Sequence, residues 1–278
     1  MPSQKKFSTF DEQIDLLKSE KHLVITDETY AKDVLMRIGY FPLFGGYKHL
    51  FRIPLTKKYK EGTTFNEIVA LYGFDSNLRE LFFKYLLQIE RHMRSLMSYY
   101  FSEKYGESQT AYLDENNYNN IPLWVLSNVL TFGNLSKMYK VFPQSLQSKV
   151  CKNFGCINRK QMEQFLSVLT KFRNVCAHGE RLFTYRTIDN ISDLPLHQKM
   201  QIPKQGIQYL YGKNDLFAVV IAFRYLLPKE DFLEFKRKLT LEISRANKNL
   251  VHITEKELLE HMGFPQNWRN ITRYQLTP

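Results

Sequence analysis

Three residue types crowd into one short stretch, KFRNVCAHGERL, residues 171–182: Arg173, Asn174 and His178. A guanidinium can hold a phosphate through paired hydrogen bonds and offset charge developing on it. A histidine can give or take a proton near neutral pH. Asn174 can orient either partner by hydrogen bonding. Together these groups suit metal-free RNA cleavage, in which the ribose 2′-OH attacks the adjacent phosphate and histidine handles a proton. The residues alone leave a plainer alternative open: a favourable helix-end cation and a solvated arginine. The spacing by itself is weak, because 14 arginines and seven histidines make one such pair an ordinary chance event, and a looser rule also admits Arg245 with His252. What sets the first pair apart is its setting. Five residues rotate a regular helix by about 500°, which leaves Arg173 and His178 about 140° apart. They can cooperate only where the helix ends, and Gly179 is a natural stop that places His178 in the last turn. The negative end of the helix dipole favours a protonated imidazole there.

The elements that carry these residues read as helices. NRKQMEQFLSVLTKFRNVCAHG opens on a capping box, Asn158 with Gln161, and carries Met162, Phe165, Leu166, Val168, Leu169 and Phe172 on its apolar face. The strongest helical pattern covers residues 76–105, with Asp75 or Ser76 as its cap. A short helix is expected from Thr64 to Tyr72. Earlier helices lie in FDEQIDLLKSE and in TDETYAKDVLMRIGY, the second capped by Thr26 and ended by Gly39. Residues 40–62 read as an irregular, aromatic and basic connection containing Lys57, Lys58 and Lys60. NNYNN reads as a polar loop, and the segment from Ile121 to Phe142 as a helix broken near Gly133. SLQSKVCKNFG is a shorter helix stopped by Gly155. Residues 180–213 read as loop, followed by helices near 214–226, 229–249 and 255–262. Only LVIT offers a short strand. The fold class is therefore all-α, a helical bundle with N-terminal and C-terminal elaborations. Its segments are an extension over 1–75, a bundle over 76–250 and a helix and tail over 251–278, expected to form one integrated domain.

Bulk properties narrow the function. The 278-residue chain is 44% hydrophobic and 14% aromatic, enough for a sizeable core. A net charge of +11 favours polyanionic partners, nucleic acid first. No apolar run is long enough to span a membrane, and the N-terminus lacks a secretory pattern, so a cytoplasmic protein is expected. Three cysteines without paired spacing argue against a disulfide framework and a zinc site. The phosphate-loop, dinucleotide and HExxH metalloprotease motifs are all missing. No acidic pair marks a two-metal nuclease. No cofactor and no metal are expected. Trp124 and Trp268 read as packing anchors, and Cys176 as a small buried filler.

Five segments in order resemble the abortive-infection (Abi) proteins of the AbiD/AbiF type, which are related to the HEPN superfamily. They are TFDEQIDLLKSEKHLVITDETYAKDVLMRIGYFPL, LQIERHMRS, PLWVLSNVLTFGNLSKMY, FRNVCAHGERLF and MGFPQNWRN, and they cover about residues 8–270. The resemblance implies a HEPN-like helical bundle and an anti-phage, toxin-like endoribonuclease that needs no metal. Carried over residue by residue, it implies catalytic roles for Arg173, Asn174 and His178, with Glu90 as an acidic group that steadies the arginine. Arg91, Arg94, Lys57, Lys58, Lys60 and Arg181 are the candidate RNA contacts. One motif per chain implies a homodimer with a composite cleft. The expected partners are RNA, as substrate or as a structured noncoding RNA, with a protein antitoxin as a further option and no membrane. The alternative function is a non-catalytic module that holds such a noncoding RNA.

Overall fold

Polar caps and apolar periodicity build most of the described residues into helix. A computed structural model of the protein describes residues 7–106 and 123–276; the NNYNN segment lies outside them. Among the described residues there are 13 α-helices and one two-stranded antiparallel ribbon, β1 (Lys204–Gln205) with β2 (Gln208–Tyr209), so the all-α class holds. The helices gather into two units. One comprises the residues up to Asn77 together with Thr240–Leu258. The other comprises Leu78–Leu239 and the residues from Leu259 onward.

In the first unit, α1 (Phe10–Ser19) starts at a Thr9–Glu12 capping box and buries Ile14 and Leu17. Helix α2 (Glu28–Ile38) is capped by Asp27, whose carboxylate accepts from the Tyr30 N–H at 2.8 Å, and not by Thr26 as expected. Asp leads Thr as a cap, and the helix begins one residue later accordingly. The aromatic connection contains two short helices, α3 (Tyr40–Gly45) and α4 (Lys48–Phe51). LVIT contributes a single parallel bridge, Val24 to Thr64.

Helix α5 (Phe65–Tyr105) runs unbroken for 41 residues, where a short helix and a separate longer one were expected. Asp75 lies inside α5 and does not start a helix. It is fully buried and accepts a hydrogen bond from the Tyr47 hydroxyl at 2.8 Å, so a tertiary partner takes the carboxylate expected to cap the start of a separate helix. Gly73 faces open space and is tolerated. The true start is a capping box in which Thr64 and Glu67 exchange hydrogen bonds of 3.2 and 3.3 Å. Glu67 also closes the unit. It accepts from the backbone N–H groups of Val251 and His252 at 2.7 and 2.9 Å and pairs with the His252 ring at 2.8 Å.

In the second unit, the C-terminal part of α5 is followed by α6 (Leu123–Leu126), a 3-10 turn (Ser127–Val129) and α7 (Phe132–Val141). The break falls before Thr131, which caps α7 through the Asn134 N–H at 3.2 Å. Gly133 lies inside the first turn, where a Cβ would meet the Thr170 methyl at 3.6 Å, an ordinary contact. Then come α8 (Gln144–Lys152), α9 (Arg159–Ala177), the short α10 (Pro195–Lys199), α11 (Leu216–Leu226), α12 (Lys229–Asn249) and α13 (Glu255–Met262); α12 and α13 each give residues to both units. Helices α7, α8 and α11 pack on α9. All of α11 except Arg224 is buried, which makes it the axis of this core. Helix α9 presents Met162, Phe165, Leu166, Val168, Leu169 and Phe172 inward, as its periodicity predicts.

Candidate active site

Helix α9 delivers the motif. Its start is the Asn158–Gln161 capping box, with both hydrogen bonds at 2.9 Å. Its end is sharp. His178 is the C-cap, Gly179 adopts φ +67°, and the Glu180 N–H returns to the Val175 carbonyl at 3.1 Å. This is the left-handed closure that glycine permits. Arg79 from α5 donates to the Glu180 carbonyl at 3.4 Å and pins the loop just past His178.

The structure brings Arg173, Glu90 and Arg94 together. Glu90 is only 4% exposed, and its carboxylate is divided between two cations. Oε2 accepts from Arg173 Nε at 3.2 Å, joining α9 to α5. Oε1 accepts from Arg94 at 3.0 Å, one turn along the same helix. Arg94 also donates to the Leu130 carbonyl at 3.0 Å. Arg173 uses its Nε for this bond, and its side chain is 25% exposed, so the group is held without being sealed from solvent. A guanidinium held this way is oriented and retains donors for an oxyanion. Arg94 was read from the sequence only as an RNA contact. Its structural tie to Glu90 was signalled by the four-residue spacing on a helix.

His178 and Asn174 are exposed at the end of α9. Among the described residues, neither side chain hydrogen-bonds to Arg173, Glu90 or Arg94. The backbone N–H of His178 donates to the Asn174 carbonyl at 2.9 Å, so the helical ladder carries through to the cap. Arg181 is exposed in the following loop. Lys57, Lys58 and Lys60 belong to the first unit, at a bend closed by the Arg52–Tyr59 bridge; Lys57 and Lys58 are exposed and Lys60 is half-buried.

Arg91 and Arg94 line a cavity of about 750 Å³ with Ser98, Tyr99, Trp124 and Ser127. Trp124 does not serve as a packing anchor, because it is 53% exposed; Trp268 does, at 0%. Nothing in the apolar context of Trp124 signalled this. His92, beside Arg91, packs its ring on Phe154 with centroids 4.9 Å apart. Desolvation at this contact pushes its pKa below the ordinary imidazole value. Cys176 is buried, as expected of a filler. Among the described residues, no group of three or more His, Cys, Asp or Glu side chains is arranged to hold a metal ion. No helix among them is long and apolar enough to cross a membrane.

A family model described as Abi-like protein matches residues 33–121 and 112–184, together more than half of the chain. Glu90, Arg94, Arg173, Asn174 and His178 all fall inside the match. No curated protein and no solved structure matches the sequence.

Proposed function

The chain belongs to the Abi-like family, and from that premise we propose that it acts in abortive infection as a metal-independent, HEPN-type endoribonuclease. The observation that carries the reading is the buried Glu90 carboxylate, which orients Arg173 one turn before the exposed His178. Arg173 holds the scissile phosphate and offsets charge on its oxygens. His178 takes the proton from the attacking 2′-OH or gives one to the departing 5′-oxygen. Asn174, exposed on the same turn, hydrogen-bonds the strand. Each chain supplies one motif, so a homodimer provides the second histidine needed to do both proton transfers at once. Such an enzyme arrests growth when released and acts as a toxin toward its own cell during phage infection.

The test is cleavage by the purified protein in the presence of EDTA. The expected products carry 2′,3′-cyclic phosphate and 5′-OH ends. His178→Ala should lower the rate by about 10²–10⁴ while the protein stays folded, the usual range for losing a general acid–base. Full activity in that variant, or abolition by EDTA, refutes the reading.

One observation favours a second reading. Arg173 is engaged by Glu90, and among the described residues the His178 ring makes no hydrogen bond to Arg173 or Glu90, so the pair is not joined within one chain. A non-catalytic module that holds a structured noncoding RNA would need no such assembly. It predicts tight, salt-dependent RNA binding that His178→Ala leaves unchanged, with no cleavage.

A further inference from the structure

We propose that the cavity between the C-terminal part of α5 and the α6 turn seats a single nucleotide, its base against Trp124 and its phosphate at Arg91 and Arg94. The ligand chemistry is that of a nucleoside monophosphate unit, whether free or within a strand. The cavity, at about 750 Å³, falls in the range that encloses small ligands. Its lining combines two chemistries. Trp124, 53% exposed, and Tyr99, 64% exposed, are the aromatic members of the wall. Exposed aromatic faces stack any base and tolerate any sequence. The backbone at Trp124 is fixed within its turn. Its carbonyl accepts from Ser127 Oγ at 3.1 Å and from Asn128 at 3.0 Å.

The wall also carries cations. Arg94 is fixed by Glu90 and the Leu130 carbonyl. Arg91 is exposed and forms no ion pair among the described residues. Among the described residues, the one acid in the wall, Glu103, is already matched by Lys149 at 2.6 Å. Ser98 and Ser127, joined at 3.0 Å, form a floor of neutral hydroxyls suited to a sugar. The inference deepens the RNA-handling reading and rests on it for its biological sense. The Glu90 carboxylate joins the two sites, since Arg94 in the cavity wall and Arg173 in the motif share it.

The two tryptophans supply the assay, because Trp268 is fully buried and Trp124 alone can meet a ligand. The full chain is titrated, under tryptophan emission, with AMP and separately with a short single-stranded 2′-deoxy oligonucleotide that cannot undergo 2′-OH attack. Saturable quenching is expected. Quenching by the oligonucleotide alone identifies a strand as the source, and comparable quenching by AMP identifies a free nucleotide. Arg91→Glu should raise the half-saturation point at least about tenfold with the circular dichroism spectrum unchanged. Trp124→Ala should weaken binding of a fluorescein-labelled oligonucleotide, read by anisotropy, by about five- to a hundredfold. No saturable quenching with either probe, or quenching that Arg91→Glu leaves unaltered, overturns the proposal. Failure of the nuclease reading is distinguishable: quenching without RNA cleavage sinks the nuclease alone, and cleavage without quenching sinks the cavity alone.

Discussion

Replacing Glu90 by glutamine should unsettle the second unit more than any surface substitution on α5. Among the described residues, the carboxylate is the one acceptor that Arg173 and Arg94 share, and its side chain is 5% exposed. A glutamine carbonyl can keep one arginine, but its NH₂ then points donors at the other. Removing one member of a buried ion pair costs about 3–5 kcal/mol. Here the arginine side chains are 17% and 25% exposed, so water recovers part of their solvation and the lower end, about 3 kcal/mol, applies. At about 2–4 °C per kcal/mol for a unit of this size, the melting midpoint should fall by about 6–12 °C. The measurement is thermal denaturation of the full chain followed by far-ultraviolet circular dichroism. Adding Arg94→Leu to Glu90→Gln removes the orphaned cation and should restore part of the loss, a non-additivity read by the double-mutant cycle. A Glu90→Gln protein that melts within about 1 °C of the parent would refute the claim that this carboxylate organises the arginines.

Other perturbations have clear expected signs. Burial alone would raise the Glu67 pKa, but hydrogen bonds from the backbone and ring of His252 and the backbone of Val251 outweigh it and hold the group below the ordinary glutamate value. The folded pKa is therefore depressed, so this contribution to stability is present above the unfolded value and is lost as pH falls through the folded one. Urea midpoints measured across the acid range should drop with pH, and Glu67→Gln should flatten that dependence; an equally steep profile in the variant counts against it. Gly263→Ala should cost several times more than Gly179→Ala, as judged by urea denaturation. Both glycines have positive φ, at +76° and +67°, but a Cβ at 263 would lie 2.6 Å from Asp215 Cβ, whereas nothing lies within 4 Å at 179. Equal losses would show that backbone strain alone decides. A thiol reagent should titrate Cys156 alone in the native protein and all three cysteines after denaturation, since Cys151 and Cys176 are buried and burial pushes the Cys151 thiol pKa up.

Local signals read from the sequence were reliable where the side chain that caps or stops a helix acts on that same helix. The bounds 229–249 and 255–262 match the structure, as do the Asn158–Gln161 box and the Gly179 stop. They failed where a polar residue had a distant partner. Asp75 reads as a cap, yet its carboxylate goes to Tyr47, 28 residues earlier, and α5 continues. The Thr131 cap lies nearer than Gly133 to the actual break and is itself a local signal. At the site, the helix-end position of His178 was legible. The sharing of Glu90 between Arg94 and Arg173 was half legible: the spacing of Glu90 and Arg94 on α5 announces one contact, while the other crosses 83 residues of chain and depends on how α9 packs. Trp124 was misread because periodicity cannot tell a buried ring from one that lines a cavity.

The link between Glu67 and His252 also sets a schedule. The first unit needs residues from both its own early segment and Thr240–Leu258, and the pairing spans 185 residues. At about 5–20 residues per second of synthesis, the Glu67 carboxylate waits roughly 10–40 s for its histidine to leave the ribosome. During that interval the cap of α5 has made its local bonds, but the unit has no closing clasp. Nascent chains arrested before His252 should therefore be cut by protease in the first unit at sites that the completed chain protects.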